Sequence, residues 1–119
     1  MAEARRTREL LAKVRVRYPA GFVYKVNDRT RSGIPDTVMV IGGKTLWVEF
    51  KDLVKRPRPI ESAVTPIQRL TMKQMAKAGA TVFVVAFAQN KRLLVWDHDL
   101  KPIDTHDDFF ALLAYEVGF

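Results

Sequence analysis

Hydrophobic positions along the chain follow two spacings, one typical of helices and one typical of strands. From about Ala4 to Arg17, Leu10, Leu11 and Val14 form an apolar stripe among basic residues, which predicts an amphipathic helix. Later stretches alternate or are continuously apolar over about four to eight residues, as strands do. The pattern predicts strands at 22–26, 81–88 and 92–97, helices at 66–78 and from 105 onward, and a hairpin that turns at Gly42 and Gly43.

The order of these elements predicts an α/β fold with a mixed sheet. The helix at 66–78 lies between the hairpin and the strand at 81–88, so the strands that it joins should pair in parallel. Thr65, Pro66 and Gln68 supply the N-cap, a first-turn proline and the third helical residue of that helix. The segment 53–64 shows no periodicity and is predicted to be a mobile loop.

The hairpin has a register that brings two acidic residues together. A Gly-Gly pair between β-branched, apolar flanks is a strong signal for a two-residue turn. If Ile41 faces Lys44 across that turn, continuing the pairing outward places Asp36 directly opposite Glu49. Side chains alternate along a strand, so Lys51 shares the face of Glu49.

Two carboxylates that face each other across a strand pair repel and destabilise the sheet. A divalent cation between Asp36 and Glu49 would offset this repulsion, and hard oxygen ligands select Mg²⁺ or Mn²⁺. The alternative from this geometry is that both acids are solvated residues at the strand ends. Lys51 then either takes part in the chemistry or neutralises the two acids as an ion pair.

Composition narrows the class of partner. The chain has 119 residues, which suits one domain over 1–119, and 20 Lys+Arg against 13 Asp+Glu give a net charge of +7. This excess points to a polyanion, with nucleic acid favoured over an anionic membrane surface. The apolar runs are too short to span a bilayer, no cysteine is present, and the N-terminus lacks the apolar core of a secretion signal. We therefore expect an intracellular, cytoplasmic protein with no membrane partner.

Four blocks in this order resemble a known nuclease family. They are Tyr24-Lys25, Arg31-Ser-Gly-Ile-Pro-Asp36, Val48-Glu-Phe-Lys51 and Thr65-Pro-Ile-Gln68. An Asp followed by Glu-x-Lys is similar to the PD-(D/E)XK signature, and the four blocks together resemble its VRR-NUC (virus-type replication-repair nuclease) branch. The resemblance runs from about Glu9 to Val85. It implies a restriction-endonuclease-like core, a mixed central sheet flanked by helices, and an origin in a phage or mobile element that acts in a bacterial host.

The resemblance also implies roles for individual residues. Asp36, Glu49 and the backbone carbonyl of Phe50 would hold Mg²⁺ or Mn²⁺, and Lys51 would orient the attacking water or stabilise charge. Glu9 matches a first-helix acid that the family brings to the metal, although it also suits a surface pair with a lysine four residues later. Gln68 matches a glutamine near the family's active site, although a capping box explains it equally well.

The expected function is endonucleolytic cleavage of DNA. Basic residues cluster in sequence around the proposed site and are the predicted phosphate contacts: Arg29, Arg31, Lys55, Arg56, Arg58, Arg69 and Lys73. The substrate expected from the resemblance is branched or junction DNA, cut by a homodimer that the apolar residues at 109–119 would help to form. The alternatives are a non-catalytic nucleic-acid-binding module on the same fold and a sequence-specific restriction-type nuclease.

Overall fold

The computed structural model describes residues 2–26, 33–103, 110 and 113. In these ranges, five strands form one sheet and helices lie on both of its faces. The elements in chain order are α1 (Ala2–Arg17), β1 (Phe22–Lys25), β2 (Thr37–Ile41), β3 (Lys44–Asp52), α2 (Ile60–Ala63), α3 (Pro66–Lys77), β4 (Thr81–Phe87), a 3-10 turn (Gln89–Lys91) and β5 (Leu93–Asp97).

The strands are ordered β1-β2-β3-β4-β5 across the sheet. β3 and β4 pair in parallel, whereas the other three neighbouring pairs are antiparallel. The sheet is therefore mixed, and α3 makes the crossover between its two parallel strands, as the order of the elements predicted. β4 lies at the parallel pairing and is buried along almost its whole length, which explains its continuous run of apolar residues.

The β2–β3 hairpin has the register expected from its turn. Ile41 pairs with Lys44, and the pairing continues to Thr37 opposite Val48. Gly42 and Gly43 have φ angles of 60° and 80°, the left-handed conformation that a tight hairpin turn of the primed type requires at both positions. Asp36 immediately precedes β2, and continuing the register by one residue places it opposite Glu49.

The two faces of the sheet bury separate hydrophobic clusters. Leu10, Leu11 and Val14 of α1 pack with the even-numbered residues of β3. On the other face, Met72 of α3 packs with Trp47 of β3 and with alternate residues of β4. Glu49 and Lys51 alternate with the residues that face α1, so they belong to the face that carries α3.

The segment 53–64 was predicted wrongly as a mobile loop. It contains the short helix α2, and four of its apolar residues, Leu53, Ile60, Ala63 and Val64, are buried in the cluster beneath α3. The sequence did not predict this packing, because the four buried residues are irregularly spaced and show neither a helical nor a strand period. A basic and proline-rich stretch also separates Leu53 from the other three.

The predicted C-terminal helix falls mostly outside the described residues. Phe110 and Leu113 are helical, Leu113 is fully buried, and both pack against the cluster on the α1 face. At these two positions the apolar side chains contact the domain's own core. The N-cap predicted at Thr105 lies outside the described residues.

Gly33 allows the chain to pass close to α3 on its way to Asp36. Its φ is +89°, and a Cβ at this position would lie 2.6 Å from Thr71 Oγ1 and 2.8 Å from the Ile67 carbonyl oxygen. Only glycine combines this backbone conformation with so close an approach. The packing of Gly33 on α3 thus sets where the chain enters β2.

We expect Gly33→Ala to lower the free energy of unfolding by about 2–4 kcal/mol, because strain at positive φ adds to overpacking against α3. Gly43→Ala is the matched control, since its φ of +80° is similar but no atom lies within 4 Å of its added Cβ. In urea unfolding, Gly43→Ala should lower the free energy of unfolding only by the cost of an alanine at positive φ. Equal losses in the two variants would contradict the proposed contact with α3.

Candidate active site

Two carboxylates meet where β2 and β3 begin to part. The backbone N–H of Asp36 donates to Glu49 Oε1 over 3.1 Å. In return, the backbone N–H of Phe50 points at the Asp36 carboxylate, 3.4 Å from each of its oxygens. The hydroxyl of Thr37 donates to Asp36 Oδ1 over 3.0 Å. These bonds hold the acids next to each other, as the hairpin register predicted.

Each acid is paired with a lysine. Lys51 Nζ lies 3.2 Å from Glu49 Oε2, and Lys25 Nζ lies 3.4 Å from Asp36 Oδ2. Lys25 was missed as a site residue even though Tyr24-Lys25 is one of the four sequence blocks. The signal that would have found it is the antiparallel pairing of β1 with β2, which joins the Val26 N–H to the Asp36 carbonyl over 2.7 Å.

Both carboxyls are harder to ionise than usual. Burial, together with the neighbouring Asp36 charge, raises the pKa of Glu49 to about 7 despite the opposing effect of Lys51. Burial also raises the pKa of Asp36, with Lys25 acting in the opposite direction. Desolvation therefore outweighs the two ion pairs, and a strongly perturbed acid pair of this kind is typical of functional sites.

Gln68 forms a helix cap and also contacts Glu49. Its Oε1 accepts from the Thr65 backbone N–H over 3.0 Å, while Thr65 Oγ1 accepts from the Gln68 backbone N–H over 3.2 Å. This is a complete capping box at the start of α3. The Nε2 of the same side chain lies 3.4 Å from Glu49 Oε2 and donates to it. Gln68 thus connects the end of the helix to the acid pair.

The donor set fits a small, hard divalent cation. Asp36 and Glu49 supply carboxylate oxygens, and Mg²⁺ is commonly held by one or two carboxylates while it keeps several waters. Burial and mutual repulsion of the two acids are the conditions that a bound cation would relieve. Among the described residues, no group of three His, Cys, Asp or Glu side chains is close enough to form a fuller metal cage.

The structure does not bring Glu9 to the acid pair. Glu9 is exposed on α1, where it lines an open hollow with Arg5, Arg6 and Lys13. The apolar stripe of α1 binds the helix to the sheet face opposite Glu49 and Lys51, and Glu9 lies beside that stripe. Among the described residues Glu9 does not form a group of three acids with Asp36 and Glu49, so we leave it out of the proposed site, and its role as a metal ligand stays a prediction. Phe50, whose carbonyl was the other predicted ligand, lies between the acid and the lysine, with its ring stacked on Phe87 in the core.

The predicted phosphate contacts fall into three groups. Arg69 and Lys73 follow Gln68 on α3, with Arg69 half-buried and Lys73 exposed. The exposed residues Lys55, Arg56 and Arg58 lie beyond β3, on a segment that crosses toward β4 and β5. Arg29 and Arg31 lie outside the described residues. No helix in the described part of the chain is both long and apolar enough to cross a bilayer.

Solved structures share this architecture. The chain is similar to Hjc, a Holliday junction resolvase from the archaeal hyperthermophile Archaeoglobus fulgidus, with a TM-score of 0.60 and 18% sequence identity over 80% of this chain and 76% of that one. The chain has the restriction-endonuclease-like fold. A structure described as a VRR_NUC domain also matches, with a TM-score of 0.47 and 29% identity over 64% of this chain and 78% of that one. Neither a protein-family model nor a curated protein sequence matches.

The predicted fold is therefore confirmed. Among the described residues, Asp36 lies just before β2, Glu49-Phe-Lys51 within β3 and Thr65-Pro-Ile-Gln68 at the start of α3. At 18% identity the resolvase establishes the shared fold alone, so the chemistry of this chain has to be argued from its own residues.

The raised pKa of Glu49 predicts that stability falls as pH rises. The folded state holds the Glu49 proton more tightly than the unfolded chain does, so its contribution is present below about pH 4.5 and is lost as pH rises toward about 7. The free energy of unfolding contributed by Glu49 falls by about 3 kcal/mol at most over this range. The raised pKa of Asp36 should lower the free energy of unfolding in the same direction. Urea unfolding in EDTA across this window measures the slope.

Glu49→Gln should flatten that slope, because the amide resembles the protonated acid. Glu61→Gln, at an exposed position on α2, is the control and should leave the slope unchanged. Mg²⁺ should raise the melting temperature more at pH 8 than at pH 5, since only the ionised acids bind it well. An undiminished slope in Glu49→Gln would show that Glu49 titrates normally in the folded protein.

Proposed function

We propose that this protein is a metal-dependent DNA endonuclease that acts on branched DNA, such as a four-way junction, as a homodimer. The observation that carries the proposal is the hydrogen-bonded pair of part-buried Asp36 and buried Glu49, with Lys51 Nζ 3.2 Å from Glu49 Oε2. A purely structural role is a poor explanation for this arrangement, because burying two adjacent carboxylates is costly and a core made of apolar residues would avoid the cost.

Different residues of the site would supply the metal ligands, the cation near the phosphate and the positioning of Glu49. A Mg²⁺ or Mn²⁺ ion held by Asp36 and Glu49, with the Phe50 carbonyl as a third donor, would neutralise phosphate charge and make a water molecule a better nucleophile. Lys51 presents its ammonium on the same face, where it either orients that water or stabilises charge on the phosphate. Gln68 holds one oxygen of Glu49 and so keeps the other oriented toward Asp36.

The charge of the chain supports a nucleic-acid substrate. The net charge of +7 attracts phosphate over long distances. Arg69 and Lys73 extend from Gln68 along α3, so a DNA backbone at the acid pair would have cations beside it. Lys25 is a further candidate phosphate contact. It would exchange its ion pair with Asp36 for one with the DNA phosphate. These contacts are not base-specific, which suits a structure-selective enzyme better than a sequence-specific one.

Cleavage of both strands of a junction would require two acid pairs, which a homodimer would supply. One acid pair cuts one strand at a time, and a two-fold dimer would present two sites to a junction that has near two-fold symmetry. The helix α3 offers a surface for such contact, since Ile67 and Leu70 lie about one turn apart and are 46% and 51% exposed. They are large apolar side chains next to Gln68, so a second copy bound there would lie close to the acid pair.

Removing either acid should abolish cleavage without loss of DNA binding. We expect Asp36→Ala and Glu49→Ala to slow cleavage of a four-way junction in Mg²⁺ by about 100- to 1000-fold or more. Affinity should be kept or raised, because a negative charge that faces phosphate is lost. Gel-based cleavage and binding assays measure both effects, and Glu61→Ala is the exposed-acid control.

Ca²⁺ should support binding of the same junction without turnover, since its larger and looser coordination shell positions water poorly. Near wild-type cleavage by either acid variant would disprove the site. A wild-type protein that bound junctions and never cut in Mg²⁺ or Mn²⁺ would indicate the non-catalytic binding module instead.

The dimer proposal predicts a change of mass when the α3 surface is made polar. Wild-type protein should sediment as a dimer at micromolar concentration, and Leu70→Asp should sediment as a monomer that no longer makes paired, symmetric cuts. Val16→Asp is the control, because Val16 is 82% exposed on α1 at the other face of the sheet. A strict wild-type monomer that makes paired cuts within one binding event would refute the proposal.

A further inference from the structure

Two aromatic rings stand exposed on the edge strand of the sheet. Phe22 and Tyr24 in β1 are 57% and 55% exposed. Their rings are nearly parallel, with an interplanar angle of 11° and centroids 6.1 Å apart. Val40, which pairs with Phe22, is also exposed. A contiguous group of exposed large apolar side chains often marks an interaction site, so this surface is expected to bind a partner.

These rings share a face with the acid pair. Tyr24 pairs with Val38, which in turn pairs with Trp47, and Trp47 belongs to the same face as Glu49. Val23, between the two rings, points the other way into the cluster beneath α1. Val26 is bonded through its N–H to the Asp36 carbonyl, and Tyr24 lies only two residues, or about 7 Å, back along the strand from it.

The basic residues near the rings indicate which kind of partner would bind there. Lys25 follows Tyr24 directly and is half-exposed while it pairs with Asp36. Arg15 lies at the surface beside β1, where its guanidinium donates to the Val23 carbonyl over 3.3 Å. Exposed aromatics flanked by cations suit a single nucleic-acid strand, whose bases stack on the rings while its phosphates meet the basic groups. A second copy of this cationic chain would bring its own positive charge to the same place.

We propose that Phe22 and Tyr24 form a stacking platform for an unpaired DNA base next to the cleaved phosphate. The platform deepens the nuclease function proposed above and rests on it for the identity of the substrate. It makes strand separation part of recognition: a base that is already unpaired at a flap or branch reaches the rings, whereas a base in continuous duplex stays stacked in its helix. The selectivity for branched DNA then arises on this chain's own sheet.

Binding measurements without cleavage test the platform. The probes are a flapped duplex with 2-aminopurine at the first unpaired position and a fully paired duplex of the same sequence, both in EDTA. Phe22→Ala and Tyr24→Ala should each weaken binding of the flapped probe about tenfold and leave binding of the paired duplex unchanged. The wild type should quench the 2-aminopurine fluorescence on binding, and the two variants should not.

Matched variants separate stacking from other effects. Tyr24→Phe should bind the flap like the wild type, since the ring is kept. Tyr24→Leu should behave like Tyr24→Ala while it keeps an apolar side chain that supports the strand. Val16→Ala, which alters an exposed apolar residue on α1, should change nothing.

Other outcomes would overturn the platform. Equal weakening for both probes, or unchanged quenching in Tyr24→Ala, would show that no base stacks there. Loss of a dimer in sedimentation of Phe22→Ala would assign the surface to a second copy instead. Because these assays need no cleavage, a failure of the nuclease proposal would appear separately, as an inactive wild type that still distinguishes the flap from the duplex.

Discussion

The desolvation of the neighbouring carboxylates of Asp36 and Glu49 is the constraint on which the rest of the site depends. Both acids are largely removed from water, and burial makes each harder to ionise. The surrounding groups are those that make such a pair tolerable: a lysine for each acid, backbone N–H groups directed at both, and the amide of Gln68. None of these groups fully offsets the desolvation of the two acids, so a bound cation would stabilise the pair further.

The site is connected to the fold through α3. Gln68 closes the capping box at the start of this helix and also donates to Glu49, so the position of the helix and the orientation of the acid depend on each other. Gly33, three residues before Asp36, contacts the same helix and sets the path of the chain into β2. A shift of α3 would therefore move both acids. This coupling explains why two elements far apart in sequence behave as one part of the site.

The two faces of the sheet have different roles. One is sealed by α1 and contains the larger cluster, and the ion pair between Arg6 and Asp52 fastens that helix to the end of β3. Among the described residues, the other face is covered by α2 and α3, while Phe22 and Tyr24 of β1 and Val40 of β2 are exposed beside the acid pair. The proposed DNA substrate would lie across this exposed part of the sheet.

What the sequence determined by itself was local. The Gly-Gly turn set the hairpin register and with it the facing of Asp36 and Glu49. The order of the elements predicted the parallel pairing through α3, and the capping residues marked where that helix begins. Turn conformation, periodicity and caps depend on near neighbours in the chain, so they can be read from sequence. Tertiary packing decided the rest: that Lys25 reaches Asp36, that Glu9 stays away from the acids, that Gly33 contacts α3, and that 53–64 is anchored. Each of these depends on how separate elements pack together, which no local pattern encodes.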